Sequence, residues 1–470
     1  MAGTQSVGGL VSGLDTASII SQLMQLESQP QQALKTKQTA TQSLVTALQS
    51  LNAKLSSLRD AAGKAATASS WQALTASSSD SSVTATASSA GSPTSITFSV
   101  DQTAQTQVSL VSATSVANLL RGGGSMTFTA ADGTHTTVST DGLTSADAIA
   151  QAITGAGAGV TAVAVQVNGG YQLQLTAGAS GAAAGFDATV TADDGTGTFT
   201  TTGVVTARAA RDAQLTLWPG ATNPDGTSAA TTVTSSSNTF TGVVPGLAFT
   251  VSQPTSSDVT VSTSRDDAAL TKLGSDLVGQ LNLVLGEIAS QTKPTTTTGS
   301  DGTTNLAAGV LNGESDVMFL QNAVGDAGSG AVTYGGQLVS PSSVGIVINS
   351  DGTFTFDRDA FAAALAADPA KTQAIVGAVA QRVQSVATTY CDPIDGLLTS
   401  NITQQQSAVQ DLGDQIADWD VRLQLRQTSL EQQYSAMETA LSQLQSQSSY
   451  LTSVLGSLGT SSTSSSSKSA

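Results

Sequence analysis

The sequence predicts a multidomain α+β protein: an α-helical coiled-coil or bundle stalk built from both chain ends, with β-rich head domains inserted between them. Three observations predict it. Between Lys64 and Lys272 there is no Lys and no Glu, the commonest surface helix formers, while Thr, Ser, Ala, Val and Gly dominate. Leucines recur at spacings of three and four on both flanks of that block, and apolar residues alternate with polar ones inside it. At 470 residues the chain has room for about three domains of ~150 residues.

The N-terminal flank divides at Pro30, which cannot continue a helix without losing a backbone hydrogen bond. Before it, Asp15 is placed as an N-cap, and Ile19, Ile20, Leu23, Met24 and Leu26 form one apolar stripe. After it, Leu44, Leu48, Leu51, Leu55 and Leu58 make a coiled-coil seam, with Gly63 as its expected stop. The C-terminal flank repeats the pattern with Val409, Leu412, Ile416, Trp419 and Leu423. Arg426 takes the next seam position, and the stripe resumes in a shifted frame at Leu430, Tyr434, Met437, Leu441, Leu444, Leu451 and Leu455, as a stutter does. Two further stretches, Leu270 to Ile288 and Ile375 to Val386, carry helical stripes that fit the same bundle.

Within the block, Val163, Val165 and Val167 alternate, turn at Asn168 to Gly170, and are followed by Tyr171, Leu173 and Leu175, which is a hairpin pattern. Further hairpins are expected around Asp132–Gly133 and, outside the block, around Asp351–Gly352. The expected division is a flexible N-terminal segment 1–30 and a stalk of 31–70 with 265–459, carrying a small hairpin near 340–357. The head then divides into an inner domain of 71–110 with 207–264 and an outer domain of 111–206, and 460–470 forms a disordered Ser-rich tail.

Charge and chemistry exclude several classes. A net charge of −17 without a Lys/Arg cluster argues against nucleic acid and anionic membranes as partners. No apolar run approaches the ~20 residues of a membrane-spanning helix, so no membrane insertion is expected. Lys35 is the first basic residue, so no secretory n-region precedes the early apolar residues. One His and one Cys leave little for acid–base or nucleophilic catalysis. His135 is expected on a surface strand and Cys391 in apolar packing, so no enzyme activity, metal or cofactor is expected. GAGAG at 155–159 and GDAGSG at 325–330 lack the strand–loop–helix context of a phosphate cradle and are expected to be loops. The acidic pairs Asp193–Asp194 and Asp266–Asp267 suit turns and helix starts.

The opening VSGLDTASIISQLMQLESQP, followed by a Leu-rich helix, resembles the start of the flagellar hook-associated protein 2, or filament cap (FliD), family. ARDAQLTLWPG with SSSNTFTGVVPGLAFTVS, and VGIVINSDGTFTFDRDAFAAALAADPAKTQAIVG, resemble later segments of that family in the expected order. The C-terminal stretch VRLQLRQTSLEQQYSAMETALSQLQSQSSYLTSVL is similar as well, above all at Tyr434, Met437, Glu438 and Ser448 to Leu451. LTSADAIAQAITGAGAGVTAVAVQVNGGYQLQLTAGASG resembles a module of flagellins and hook-associated proteins, with Ile153–Thr154 where an Ile–Asn pair is usual.

The resemblance implies a homo-oligomeric, non-enzymatic cap at the distal tip of an extracellular flagellum. Such a cap is exported unfolded by the type III route without a cleaved signal; it retains flagellin and promotes its polymerisation. It implies contact with filament or neighbouring subunits through Leu10, Leu14, Ile19, Ile20, Leu23, Leu26, Leu451, Val454 and Leu455, and a cytosolic export chaperone on residues 430–459. A tip adhesin for host glycan or mucin, and a hook–filament junction protein, are the alternatives.

Overall fold

The structure, a computed structural model, describes residues 15–298 and 304–461. Leu10 and Leu14 lie outside the described residues. The helices are α1 (Thr16–Glu27), α2 (Gln29–Ala66), α3 (Ala113–Leu119), α4 (Ala146–Gly155), α5 (Asp267–Thr292), α6 (Ser315–Ser329), α7 (Arg358–Ala367), α8 (Pro369–Cys391) and α9 (Leu397–Ser461). The chain separates into two compact units, one of residues up to Ala66 with those from Leu273 onward, the other Thr67–Lys272. The architecture is multidomain α+β, with helical chain ends and the β-rich part between them.

In the helical unit, α2 packs along α8 and α9, and α6 packs on α8. Leu48, Leu51, Leu55 and Leu58 of α2 are fully buried, as are Ile375, Val379 and Val383 of α8 and Val317, Leu320 and Val324 of α6. Each such aliphatic side chain contributes about 1.5–3 kcal/mol over the exposed state. Glu287 of α5 ties that helix to α2, accepting from Ser50 Oγ at 2.9 Å and facing Lys54 Nζ at 3.6 Å. Asn282 of α5 brackets the hairpin Ile346–Ile348/Phe354–Phe356, donating to Phe354 O at 2.6 Å and accepting from Phe354 N at 2.8 Å. Arg382 of α8 reaches the end of α6, donating to Gly330 O at 2.6 Å and Ala331 O at 3.1 Å, and so satisfies carbonyls a helix terminus leaves free.

In the β-rich unit, a five-stranded sheet runs in the order Leu74–Ser78, Val259–Arg265, Thr94–Gln102, Ala213–Leu217, Thr231–Ser235. It shares a core with the three-stranded sheet Thr239–Val244, Leu247–Val251, Val83–Ala87. Phe249 stacks between Phe98 and Phe240, with ring centroids 4.7 and 5.7 Å away. A second core, around Phe128, Ile149, Leu173 and Val190, is enclosed by two four-stranded sheets with α3 and α4. One sheet carries the Val160–Val167/Gly170–Ala177 hairpin and the other the Ser125–Ala130/His135–Ser139 hairpin. The two cores are joined at a bridge where Gln105 and Arg211 exchange backbone hydrogen bonds of 2.9 and 3.2 Å.

Several expectations are corrected. The first helix breaks at Ser28 rather than Pro30, because Pro30 stands in the first turn of α2, where its missing N–H costs nothing. Gly63 does not stop α2, which runs to Ala66; it marks a close approach, since a Cβ there would lie 3.1 Å from Gln384 Nε2 of α8. GDAGSG is not a loop: Gly325 to Ser329 are the last turns of α6, and Gly328 makes room for the Phe354 ring, 2.6 Å from where a Cβ would stand. The β-rich block contains two helices, α3 and α4, each capped by a Ser. Of the assigned seam residues, Leu48, Leu51, Leu55, Leu58, Leu412 and Leu430 are buried. Leu44, Ile416, Trp419, Leu423, Tyr434, Met437 and Leu441 are only half-buried. Leu444 is 61% exposed, so it is not in a core within one chain.

Among the described residues four Asp–Gly–Thr turns recur, at Asp132, Asp194, Asp225 and Asp351, and each carboxylate accepts from the Thr two residues on. Those hydrogen bonds hold each carboxyl below the usual carboxylate range.

Two outcomes are expected. Gly325→Ala, with open space around it, raises stability by about 0.5–1 kcal/mol through helix propensity, whereas Gly328→Ala lowers it by about 1–3 kcal/mol through the clash with Phe354. Urea midpoints of the two variants, moving in opposite directions, check this. A depressed folded pKa gives stability that is present above the unfolded value of about 3.9 and is lost as pH falls through the folded value. Thr353→Val, which removes the 2.6 Å hydroxyl bond to Asp351, is therefore destabilising at neutral pH and loses that effect in strong acid, as paired melting curves across pH would register.

Candidate assembly surface

The candidate surface is built by α1, the start of α2 and α9. Asp15 caps α1, its Oδ1 accepting from Ser18 N at 3.0 Å, which fixes where the apolar stripe of α1 begins. Along α9, Gln38 Nε2 donates to Val409 O at 3.3 Å, Gln31 Nε2 to Ile416 O at 3.4 Å and to Asp420 Oδ1, and Arg426 Nε to Glu27 Oε1 at 2.8 Å. Numbers rise on one side as they fall on the other, so the pairing is antiparallel. Arg426, which interrupts the leucine seam in the sequence, is thus satisfied by Glu27. Such a half-exposed pair contributes about 0.2–1 kcal/mol and fixes register more than stability.

Ile19, Ile20 and Met24 of α1 are half-buried beside α9, whereas Leu23 is more exposed and Leu26 is 70% exposed. On α9, Val421 and Leu425 stand out to solvent, and further along Leu444, Tyr450, Leu451 and Leu455 do the same, Leu455 at 68%, with Val454 half-buried. The structure thus brings Ile19, Ile20, Leu23 and Leu26 onto the flank of α9. Leu451 and Leu455 stand one turn apart on one helix face with no partner among the described residues.

A second exposed apolar group was not singled out from the sequence. Met318 and Phe319, the latter 65% exposed, lie in the first turn of α6, and Leu338 and Ile348 lie on hairpins of the same unit. The signal was available: Val317, Leu320, Val324 and Ala327 set the buried register of α6, and 318 and 319 fall outside it.

The His and the Cys stand apart from one another. His135 is exposed and its Nδ1 lies 2.9 Å from Thr129 Oγ1. Cys391 is buried, and burial pushes its thiol up, with the Arg59 guanidinium opposing; a thiol so held is a poor nucleophile. Among the described residues no group of three or more His, Cys, Asp or Glu is placed to hold a metal ion, and no helix is long and apolar enough to cross a membrane. A cavity of about 560 Å³ along α8 is lined by the polar residues Gln381, Gln384, Ser385, Thr388 and Asp392, with no aromatic or aliphatic side chain in its walls.

Comparison with known proteins gives the surface its context. The sequence model described as flagellar hook-associated protein 2 N-terminus matches residues 12–107, that of its C-terminus residues 212–446, and the flagellin hook IN motif residues 125–179. None of the curated proteins matches. Among solved structures, the D1-D2-D3 domains of the flagellar cap protein FliD from Escherichia coli share 21% identity at a TM-score of 0.57, covering 77% of this chain and 99% of that one. FliD (HAP2) from Pseudomonas aeruginosa PAO1 shares 20% identity at a TM-score of 0.36, covering 46% of this chain and 98% of that one. The Escherichia coli likeness shows a common fold, and with the C-terminal family model spanning half its length, the chain belongs to the flagellar hook-associated protein 2 family.

Proposed function

We propose that the chain is a structural cap of the bacterial flagellar filament. In this reading it is exported by the flagellar type III route, assembles with copies of itself at the distal tip, and holds exported flagellin while it polymerises. The observation that carries the reading is the set of exposed apolar side chains on α1 and along the later part of α9. Among the described residues nothing covers Leu26, Leu451 and Leu455, and a further helix, from another copy or from the filament, would bury them. The reading needs no catalytic group. The chaperone for the exported chain belongs on the same stretch of α9, residues 430–459, where Leu444, Tyr450, Leu451 and Leu455 are exposed.

Replacing Leu451 and Leu455 together by Asp removes two buried leucines from the assembly, about 1.5–3 kcal/mol each, and weakens association by on the order of a hundredfold or more. In a cell lacking its own cap, this variant is expected to fold but to release flagellin into the medium. Immunogold label of the parent protein is expected at filament tips; full filament growth by the variant, or label at the hook junction, would replace the cap reading by an adaptor role.

Trp218 supports a second, compatible reading, adhesion of the β-rich unit to host glycan or mucin. It is 50% exposed and, among the described residues, is the one non-glycine at positive φ, 51°. A bulky residue in that region stores strain of about 1–3 kcal/mol, which here holds an aromatic ring out to solvent. Binding of the full chain to immobilised mucin, lost in Trp218→Ala with the fold retained, is the expected result; equal binding by the variant contradicts it.

A further inference from the structure

The chain carries two Asn–Gly dipeptides, Asn168–Gly169 and Asn312–Gly313, and several Asp–Gly dipeptides, and the structure treats them differently. Asn168 occupies the tip of the Val160–Val167/Gly170–Ala177 hairpin, where Gly169 takes φ 96° between the paired Val167 and Gly170. Asn312 lies in the exposed turn before α6, with Gly313 at φ 91°. Among the described residues, neither Asn side chain and neither following Gly N–H has a hydrogen-bond partner.

The four described Asp–Gly–Thr turns are tied. The Gly N–H donates to Ala130 O at 2.9 Å in the Asp132 turn, to Asp193 Oδ1 at 2.9 Å in the Asp194 turn, to Asn223 O at 2.9 Å in the Asp225 turn, and to Asn349 O at 3.0 Å in the Asp351 turn. The Asp oxygens accept from the Thr two residues on; at Asp194, Asp225 and Asp351 the Thr hydroxyl adds a bond of 2.6 Å. Asparagines elsewhere are clamped too: Asn238 exchanges hydrogen bonds with Ala104, Asn282 with Phe354, and Asn349 donates to Thr353 and Thr355.

We infer that Asn168 and Asn312 are sites of spontaneous succinimide-mediated deamidation, while the Asp–Gly–Thr turns at Asp132, Asp194, Asp225 and Asp351 are held against the same ring closure. In the reaction the Gly169 backbone nitrogen attacks Cγ of Asn168. The new C–N bond closes a five-membered imide, the nitrogen loses its proton, and the side-chain amide leaves as ammonia. Water then opens the imide at either carbonyl, giving Asp or isoaspartate, so the net change is amide plus water to carboxylate plus ammonium. At the Asp–Gly turns the nucleophilic nitrogen is already donating its hydrogen. The carboxylate is also kept ionised by its Thr partners, which makes it a poor electrophile. Deamidation at Asn168 adds a negative charge to the hairpin tip. In the isoaspartate product it also adds a methylene to the main chain, where Val167 and Gly170 are in register.

The test ages the full chain in mildly alkaline buffer, folded and in urea, and maps isoaspartate by enzymatic methyl transfer and mass spectrometry of chymotryptic peptides. The folded chain is expected to gain acid and isoaspartate at Asn168 and Asn312 with release of ammonia, and to show none at Asp132, Asp194, Asp225 and Asp351. Urea is expected to bring those four sites into reaction, and Asn168→Gln to lose the signal at 168 alone. A folded chain that stays unmodified at Asn168 while the urea-treated chain reacts there overturns the inference. So does isoaspartate at the four Asp–Gly turns at equal rates in folded and unfolded chains.

Discussion

The leucine row of α2 is the constraint on which the helical unit depends. Leu48, Leu51, Leu55 and Leu58 cannot remain in water, and the helices that cover them, α8 and α9, come from the opposite end of the chain. Close packing follows from small residues placed where helices or rings meet: Gly63 under Gln384, Gly274 under Phe356 and Gly328 under Phe354. Along α9 burial falls off after Leu430, and Leu444, Leu451 and Leu455 are left exposed, which is where the proposed assembly surface lies.

The β-rich unit solves the same stability problem with little charge. With no Glu, and Lys272 at its boundary as its one Lys, it has few ion pairs to make, and its strands are linked across by hydroxyl pairs: Thr97–Thr260 at 3.0 Å, Thr127–Thr137 at 3.1 Å, Thr191–Thr201 at 2.9 Å and Thr239–Thr250 at 2.8 Å. Its carboxylates are mostly spent on turns rather than on cations. Interactions of this kind are nearly insensitive to ionic strength, unlike the Glu27–Arg426 pair on the helical ends.

Fold class was legible because periodicity is a local signal. The seam at Leu48 to Leu58, the alternation at Val163 to Leu175, and the cap at Asp15 are each written within a few residues. Glycine was the least legible. Gly63 and Gly328 have the sequence look of helix stops and loops, yet serve as contact points whose partners, Gln384 and Phe354, lie far away in the sequence. Leu444 shows the complementary limit: a heptad position states that a residue seeks a partner, and not that the same chain provides it. Arg426 looked like a break in pattern because Glu27, which answers it, is on a different helix. Trp218 was invisible for a related reason, since no local pattern announces a strained aromatic held outward.

The placement of the two chain ends in one unit also sets an order in time. Synthesis, or passage of the chain N-terminus first through any narrow channel, delivers α2 long before Pro369–Cys391 and Leu397–Ser461 exist to cover it. The intervening Thr67–Lys272 unit has its cores wholly within its own residues and has no such wait. The contacts that close the helical unit, α2 with α8 and α9, are of very long sequence separation, a kind that forms slowly. Until the final helix arrives, the leucine row of α2 lacks part of its cover, whatever the state of the β-rich unit.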